Sequence, residues 1–251
     1  PMVTMMSIYT SNNRFAATLA GSGFSNAPVV LVSSNTTPSQ NWYHVALTQN
    51  AQYVNSNAVA SLYVNGALVA YNSNLPLPAL PLAVNAVRLG ADLTPYRLSA
   101  FTGYIDELRI YNKVLTSNDI YNQYSMYAAT TTTPAQVPLV PSYTLVGSCN
   151  LVSYIPFDGN FIDVVNPVGA DGSTNTFLTY GNLGCNAPFA SSNLAFYRTN
   201  KGSAAYINNA AITSNAPQQA HIDVNLPNTV TGPLSATCWF MIPAAPTTTG
   251  G

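Results

Sequence analysis

Short runs in which apolar and polar residues alternate dominate the chain, and a period of two marks a half-buried strand. Tyr43 to Thr48 alternates in this way. Ala60-Ser61-Leu62-Tyr63-Val64 and Ala67-Leu68-Val69-Ala70-Tyr71 flank Asn65-Gly66. Asn-Gly between two such runs predicts a tight hairpin, because both turn residues must take positive φ. Val87-Arg88-Leu89 and Gly103 to Tyr111 add two strands; Leu151 to Phe157, Ser203 to Ile207, His221 to Leu226 and Ser235 to Ile242 add four more. One segment has helical spacing. Thr116-Ser117-Asn118-Asp119 offers an N-cap hydroxyl and an early acid, and Ile120, Tyr124 and Tyr127 recur on one face, which predicts one short helix near 116–127. From Ala128 the chain turns to Thr130, Thr131, Thr132, Thr133 and a series of prolines, a composition suited to an extended linker. The pattern is all-β in three parts: 1–127, a Thr/Pro-rich linker 128–149, and 150–251.

Composition narrows what such a chain does. Hydrophobic residues make up 47% of it and charged residues 6%, with a formal net charge of −1. Soluble domains carry roughly 25% charged residues, so this surface is built from Asn, Thr, Ser, Gln and Tyr. A chain with neither low hydrophobicity nor high net charge folds. The basic residues Arg14, Arg88, Arg97, Arg109, Lys113, Arg198 and Lys201 are scattered and form no phosphate-neutralising patch, which excludes nucleic acid as a partner. No apolar run reaches the roughly 18 residues of a helical membrane span; Asn74 to Val84 is broken by Pro76, Pro78 and Pro81. Near-zero net charge removes the repulsion that keeps copies apart and favours self-association. Pro1 at the start and the run Pro246 to Gly251 at the end read as those of a processed or excerpted piece of a longer product.

Several motifs resemble one family. Trp42-Tyr43-His44-Val45-Ala46-Leu47-Thr48, Leu62-Tyr63-Val64-Asn65-Gly66 and Gly103-Tyr104-Ile105-Asp106-Glu107-Leu108-Arg109-Ile110-Tyr111-Asn112, closed by Leu115-Thr116, resemble the C-terminal half of a laminin-G-like, concanavalin A-like jelly roll. Ile155-Pro156-Phe157-Asp158-Gly159-Asn160 and Ala236-Thr237-Cys238-Trp239-Phe240-Met241-Ile242 resemble strands of its N-terminal half. The resemblance implies a two-sheet antiparallel sandwich whose halves occur in inverted order. Three arrangements fit: one window of a tandem repeat, completion of 150–251 by residues 1–127 of the next subunit, or a permuted domain closed by linker 128–149. The first two are preferred, since unpaired half-sandwiches expose edges that another chain must cover. In all three, Trp42, Val45, Leu47, Leu62, Val64, Ile105, Leu108 and Ile110 are expected in one core with Ile155, Phe157, Trp239 and Phe240.

The candidate chemistry is sparse. Glycoside hydrolysis needs two carboxylates across the scissile bond, and Glu107 is the single glutamate. Regular alternation puts it and its neighbour Asp106 on opposite faces of one strand, and neither His44 nor His221 has a nucleophile motif beside it. No enzyme activity is expected. The resemblance implies a structural Ca²⁺ where first and last strands meet, with Asp106, Asp158 and Asp163 as candidate ligands; the competing reading gives Asp158 an Asx-turn and Asp106 an arginine or backbone partner. Cys149 with Cys185 is the candidate disulfide in an oxidising compartment, the other reading being three buried small residues. Asn35-Thr36-Thr37 is the one N-glycosylation sequon, and Thr130 to Thr133 are candidate O-glycan sites. The expected function is a structural subunit or repeat of a self-associating extracellular filament or virion-surface fibre, partnered by copies of itself. The alternative, implied by the resemblance, is a lectin-like adhesion module for cell-surface glycans.

Overall fold

The computed structural model describes residues 5–20, 29–37, 41–50, 59–73, 83–89, 101–126, 150–157, 163, 165, 178–180, 204–207 and 221–243. Its strands are β1 (Met5–Ser11), β2 (Arg14–Ala20), β3 (Val29–Val32), β4 (Trp42–Gln49), β5 (Ala60–Val64), β6 (Ala67–Asn72), β7 (Ala83–Leu89) and β8 (Gly103–Tyr111). Helix α1 (Ser117–Ser125) follows, then β9 (Leu151–Ile155), β10 (Leu178–Tyr180), β11 (Ala205–Ile207), β12 (His221–Thr231) and β13 (Leu234–Met241). The chain is mostly β, its pairings are antiparallel and it has one short helix, as the alternation predicts. That helix is not long and apolar enough to cross a membrane.

Local chemistry sets the two sharpest features. Asn65 and Gly66 take φ of 51° and 79°, the positive values that close the two-residue β5–β6 turn. Asn65 also accepts a hydrogen bond through Oδ1 from the His44 backbone N–H at 3.0 Å, which ties the turn to β4. At the start of α1, the Thr116 hydroxyl accepts from the Asp119 N–H at 3.1 Å and the Asp119 carboxylate accepts from the Thr116 N–H at 3.0 Å. This reciprocal pair satisfies two donors that a helix start leaves open.

The largest sheet runs β11-β8-β13-β4-β5-β6, with β9 also pairing β8. Two three-stranded sheets, β1-β2-β3 and β10-β12-β7, face it. Phe15, Leu19 and Leu31 pack on Val45, Leu47 and Leu62, while Val224, Leu226 and Val230 pack on Ile105, Leu108, Ile110, Ile155 and Phe157. Phe240 and Met6 border both clusters, so the two small sheets lie side by side on one face of the large one. On the other face Ile120 of α1 and Leu115, just before the helix, pack on Ala46, Tyr63 and Tyr111.

Strand β13 decides how the halves relate. It lies between β4, in register from Met241 opposite Trp42 to Leu234 opposite Gln49, and β8. Strands β9 and β11 pair β8, and β12 pairs β7. In this structure strands from residues 150–251 pair with strands from residues 1–127 of the same chain, with β13 in the middle of the large sheet. The expected single core needs correction. Tyr43 and Val45 of β4 and their partners Phe240 and Cys238 of β13 face the small sheets, and Trp42 and Trp239 alternate with them, so both tryptophans lie on the opposite face. There Trp42 packs near Tyr104 and Met241, and Trp239 stacks on Tyr124 of α1 with ring centroids 5.9 Å apart.

Candidate functional site

All nine residues of β8 are buried, including Asp106, Glu107 and Arg109. Burying three ionisable groups on one strand is costly unless they satisfy one another. A bulge makes this possible. Thr237 pairs with Arg109 and Trp239 with Asp106, so Cys238 alone faces two residues of β8, Glu107 and Leu108. Glu107 takes φ of 57° to accommodate the extra residue. Its carboxylate ion-pairs with the Arg109 guanidinium and accepts from the Tyr154 hydroxyl at 2.9 Å. The guanidinium carbon stands 4.5 Å from the centre of the Tyr154 ring.

The bulge overturns the expectation that Asp106 and Glu107 point to opposite faces. Asp106 shares a face with its partner Trp239, which stacks on α1. Glu107 reaches Arg109, whose partner Thr237 donates to Gln123 of α1 at 3.0 Å. Both carboxylates thus lie on the helix-covered face, because one inserted residue resets the alternation. His44 is buried on the same face, its ring 5.2 Å from that of Trp239. Glu107 is only 5% exposed, and its contacts with Arg109 and Tyr154 join β8 to β9 on this face.

The remaining sequence candidates fall partly outside the described residues. Asp163 uses one carboxylate oxygen, Oδ1, to accept from the Tyr154 N–H at 3.0 Å and the Val165 N–H at 2.9 Å, the work of a loop cap. Asp106 pairs with Trp239 of β13, Asp158 lies outside the described residues, and no group of three His, Cys, Asp or Glu fit to hold a metal occurs among the described residues. Cys149, Cys185, Thr130, Thr131, Thr132 and Thr133 lie outside the described residues, as does the His221 side chain. Cys238 is a free, buried thiol that donates to the Asp106 carbonyl at 3.3 Å. Burial, aided by the negative charge of Asp106, pushes its pKa well above the usual thiol value. Asn35 is exposed.

One concavity was not anticipated from sequence. A cleft of about 300 Å³ lies between the chain leaving β3 and the β5–β6 hairpin. It is lined by Ser33, Asn35, Thr36, Thr37 and Asn65 on its polar side, and by Tyr43, Val64, Ala67 and Val69 on its apolar side. The polar wall is held by backbone bonds: the Ser33 N–H donates to Phe15 O at 2.8 Å and the Thr37 N–H to Asn13 O at 2.6 Å. The Ser33 hydroxyl donates to the Asn35 carbonyl at 2.9 Å. Thr37 is 6% exposed, and its hydroxyl has no hydrogen-bond partner among the described residues. An orphaned buried hydroxyl is costly, and here it borders a space that a ligand or water can enter. None of the nine lining residues is charged. The signal in sequence was Asn35-Thr36-Thr37 itself, legible as a glycosylation motif; the approach of Asn65 from thirty positions away was not legible.

No curated protein and no solved structure matches the chain. Residues 4–121, just under half of the chain and the stretch that supplies β1 to β8 and the start of α1, match the family model of the concanavalin A-like lectin/glucanases superfamily.

Proposed function

We propose that this protein is a non-catalytic adhesion module of an extracellular or virion surface, whose cleft takes a neutral polyhydroxyl ligand such as a cell-surface glycan. The observation that carries this reading is the cleft wall, where the buried Thr37 hydroxyl has no hydrogen-bond partner among the described residues and stands beside Ser33, Asn35 and Asn65. Amides and hydroxyls without charge match sugar hydroxyls, and about 300 Å³ sits at the lower end of the range for ligand sites. Catalysis does not enter the reading. The one glutamate is buried and held by Arg109 and Tyr154, and Asp106 is buried beside it.

A second reading, a structural subunit of a self-associating filament, draws on the uncharged, Asn- and Thr-rich surface and the Thr/Pro-rich stretch 128–149. A glycan array probed with unglycosylated protein tests the leading reading. Retention on neutral glycans, weakened at least several-fold by Asn35→Ala or Thr37→Val in a protein with unchanged circular dichroism, is the expected result. Equal retention by both variants, or none by the parent, overturns it. Because Asn35 stands at the rim, an N-glycan attached there would occupy the same opening.

A further inference from the structure

The large sheet ends at β6, whose inner side pairs β5 and whose outer side has no strand partner among the described residues. Proteins usually guard such an edge with a charge, a proline or a covering segment, because its row of backbone donors and acceptors is a template for another strand. The sequence of β6, Ala67-Leu68-Val69-Ala70-Tyr71-Asn72, contains no charge and no proline. It instead displays two large apolar side chains, Leu68 at 49% and Tyr71 at 64% exposure. The register shift against β5 explains why they act together. Leu62 pairs with Ala70 but Tyr63 with Leu68, so Val69 is an extra residue and both Val69 and Ala70 pack toward the core. Leu68 and Tyr71, three positions apart, are left on the same outward face, opposite Tyr63 and Ser61.

We infer that β6 is the docking edge for a second copy of this chain, antiparallel to its own β6 across a two-fold axis. The strand is close to self-complementary in that register. With the axis between Val69 and Ala70, Leu68 falls opposite Tyr71 of the other copy and Tyr71 opposite its Leu68. These are two aromatic–aliphatic cross-strand pairs on one face. Strand β3 lies beside β6, and its Val30 and Val32 are exposed, so a second uncharged edge lies on the same side of the sandwich. A charged partner finds nothing to match there, whereas two copies with a net charge of −1 repel each other weakly. The contact is isologous and therefore closes as a dimer; it does not propagate a filament. It shares Ala67 and Val69 with the cleft wall, but the glycan reading is tested by ligand binding and this one by mass.

Light scattering coupled to size-exclusion chromatography, from about 1 to 100 μM, tests it on three proteins. The parent chain is expected at twice its 26.6 kDa mass toward the upper concentrations. Leu68→Lys with Tyr71→Lys is expected to remain monomeric, with unchanged circular dichroism because both side chains are already in solvent. Leu68→Cys with Tyr71→Cys is expected to give a covalent dimer on mild oxidation, while either single cysteine variant behaves as the parent does, since identical positions lie about three residues apart across the axis. A parent that is monomeric throughout overturns the inference. So does a dimer that survives both lysines, or a double-cysteine variant that crosslinks no better than the single ones.

Discussion

Replacing Arg109 by Met keeps most of the side chain's length and removes only its charge and donors. Arg109 is 2% exposed and its counter-ion Glu107 5%, so water reaches neither group well enough to screen the change. The Glu107 carboxylate then stays buried without its cation, retaining the Tyr154 hydroxyl as donor. Breaking a buried pair from one side costs about 3–5 kcal/mol, a large share of the roughly 5–15 kcal/mol that stabilises a typical domain. Removing both charges with Glu107→Gln and Arg109→Met abolishes the unmatched ion, so the double variant is expected to recover at least about 2 kcal/mol of that loss. Tyr154→Phe deletes one hydrogen bond to a charged acceptor while leaving the ring beneath the guanidinium, and is expected to cost about 1.5–3 kcal/mol. Urea unfolding followed by circular dichroism reads all three. For Arg109→Met the midpoint falls by roughly 1–2 M with the slope unchanged. A loss below about 1 kcal/mol for Arg109→Met, or a double variant as unstable as the sum of its parts, would refute the claim that the three side chains form one mutually satisfied unit.

Two further outcomes follow from particular residues. Gly103→Ala places a Cβ within 2.6 Å of the Phe101 ring and closer still to the Met241 carbonyl oxygen, whereas a Cβ at Gly232 meets nothing within 4 Å. Both positions carry positive φ, so thermal melts should show Gly232→Ala losing only the backbone cost of about 1–2 kcal/mol and Gly103→Ala losing clearly more; equal losses would contradict the packing at β8 and β13. Burial raises the pKa of the Tyr111 phenol and of the Cys238 thiol, so the folded state keeps both protonated where the unfolded chain releases its protons. Their contribution to stability is complete below the ordinary thiol and phenol values of 9.0 and 10.0 and is lost as pH rises through them. Urea midpoints measured from pH 7 to 11 should fall over that window, and Cys238→Ala with Tyr111→Phe should flatten the fall.

Elements defined by local chemistry were legible in the sequence. The Asn65-Gly66 turn, the Thr116 and Asp119 cap and the nine residues of β8 each follow from neighbouring residues, and each appears where the pattern puts it. Strands β2, β3 and β10 were not anticipated. Strand β3 is four apolar residues in which no alternation can be read, β10 has three residues, and β2 begins at Arg14 after a turn made by Asn12 and Asn13, two non-glycine residues with positive φ. Such strands are fixed by the partner they pair with, which a linear pattern does not contain.

The failure at Asp106 and Glu107 has a different cause. Strict alternation is a rule about unbroken ladders, and it was applied to a strand that gains one residue against β13. Nothing local marks the position, since a bulge with φ of 57° is commonly made by glycine or asparagine and here is made by glutamate. The conformation is tolerated because the displaced side chain reaches Arg109 and Tyr154. A chain with 6% charged residues spends two of them there, in the dry interior, where β8 of the first half meets β9 of the second. Hydrophobic strands alone would pair in several registers, since a slip by two residues preserves the apolar face. A slip of β9 along β8 would separate Tyr154 from the ion pair and strand buried charge, so the Glu107, Arg109 and Tyr154 contact selects one register for a pairing that apolar matching leaves degenerate.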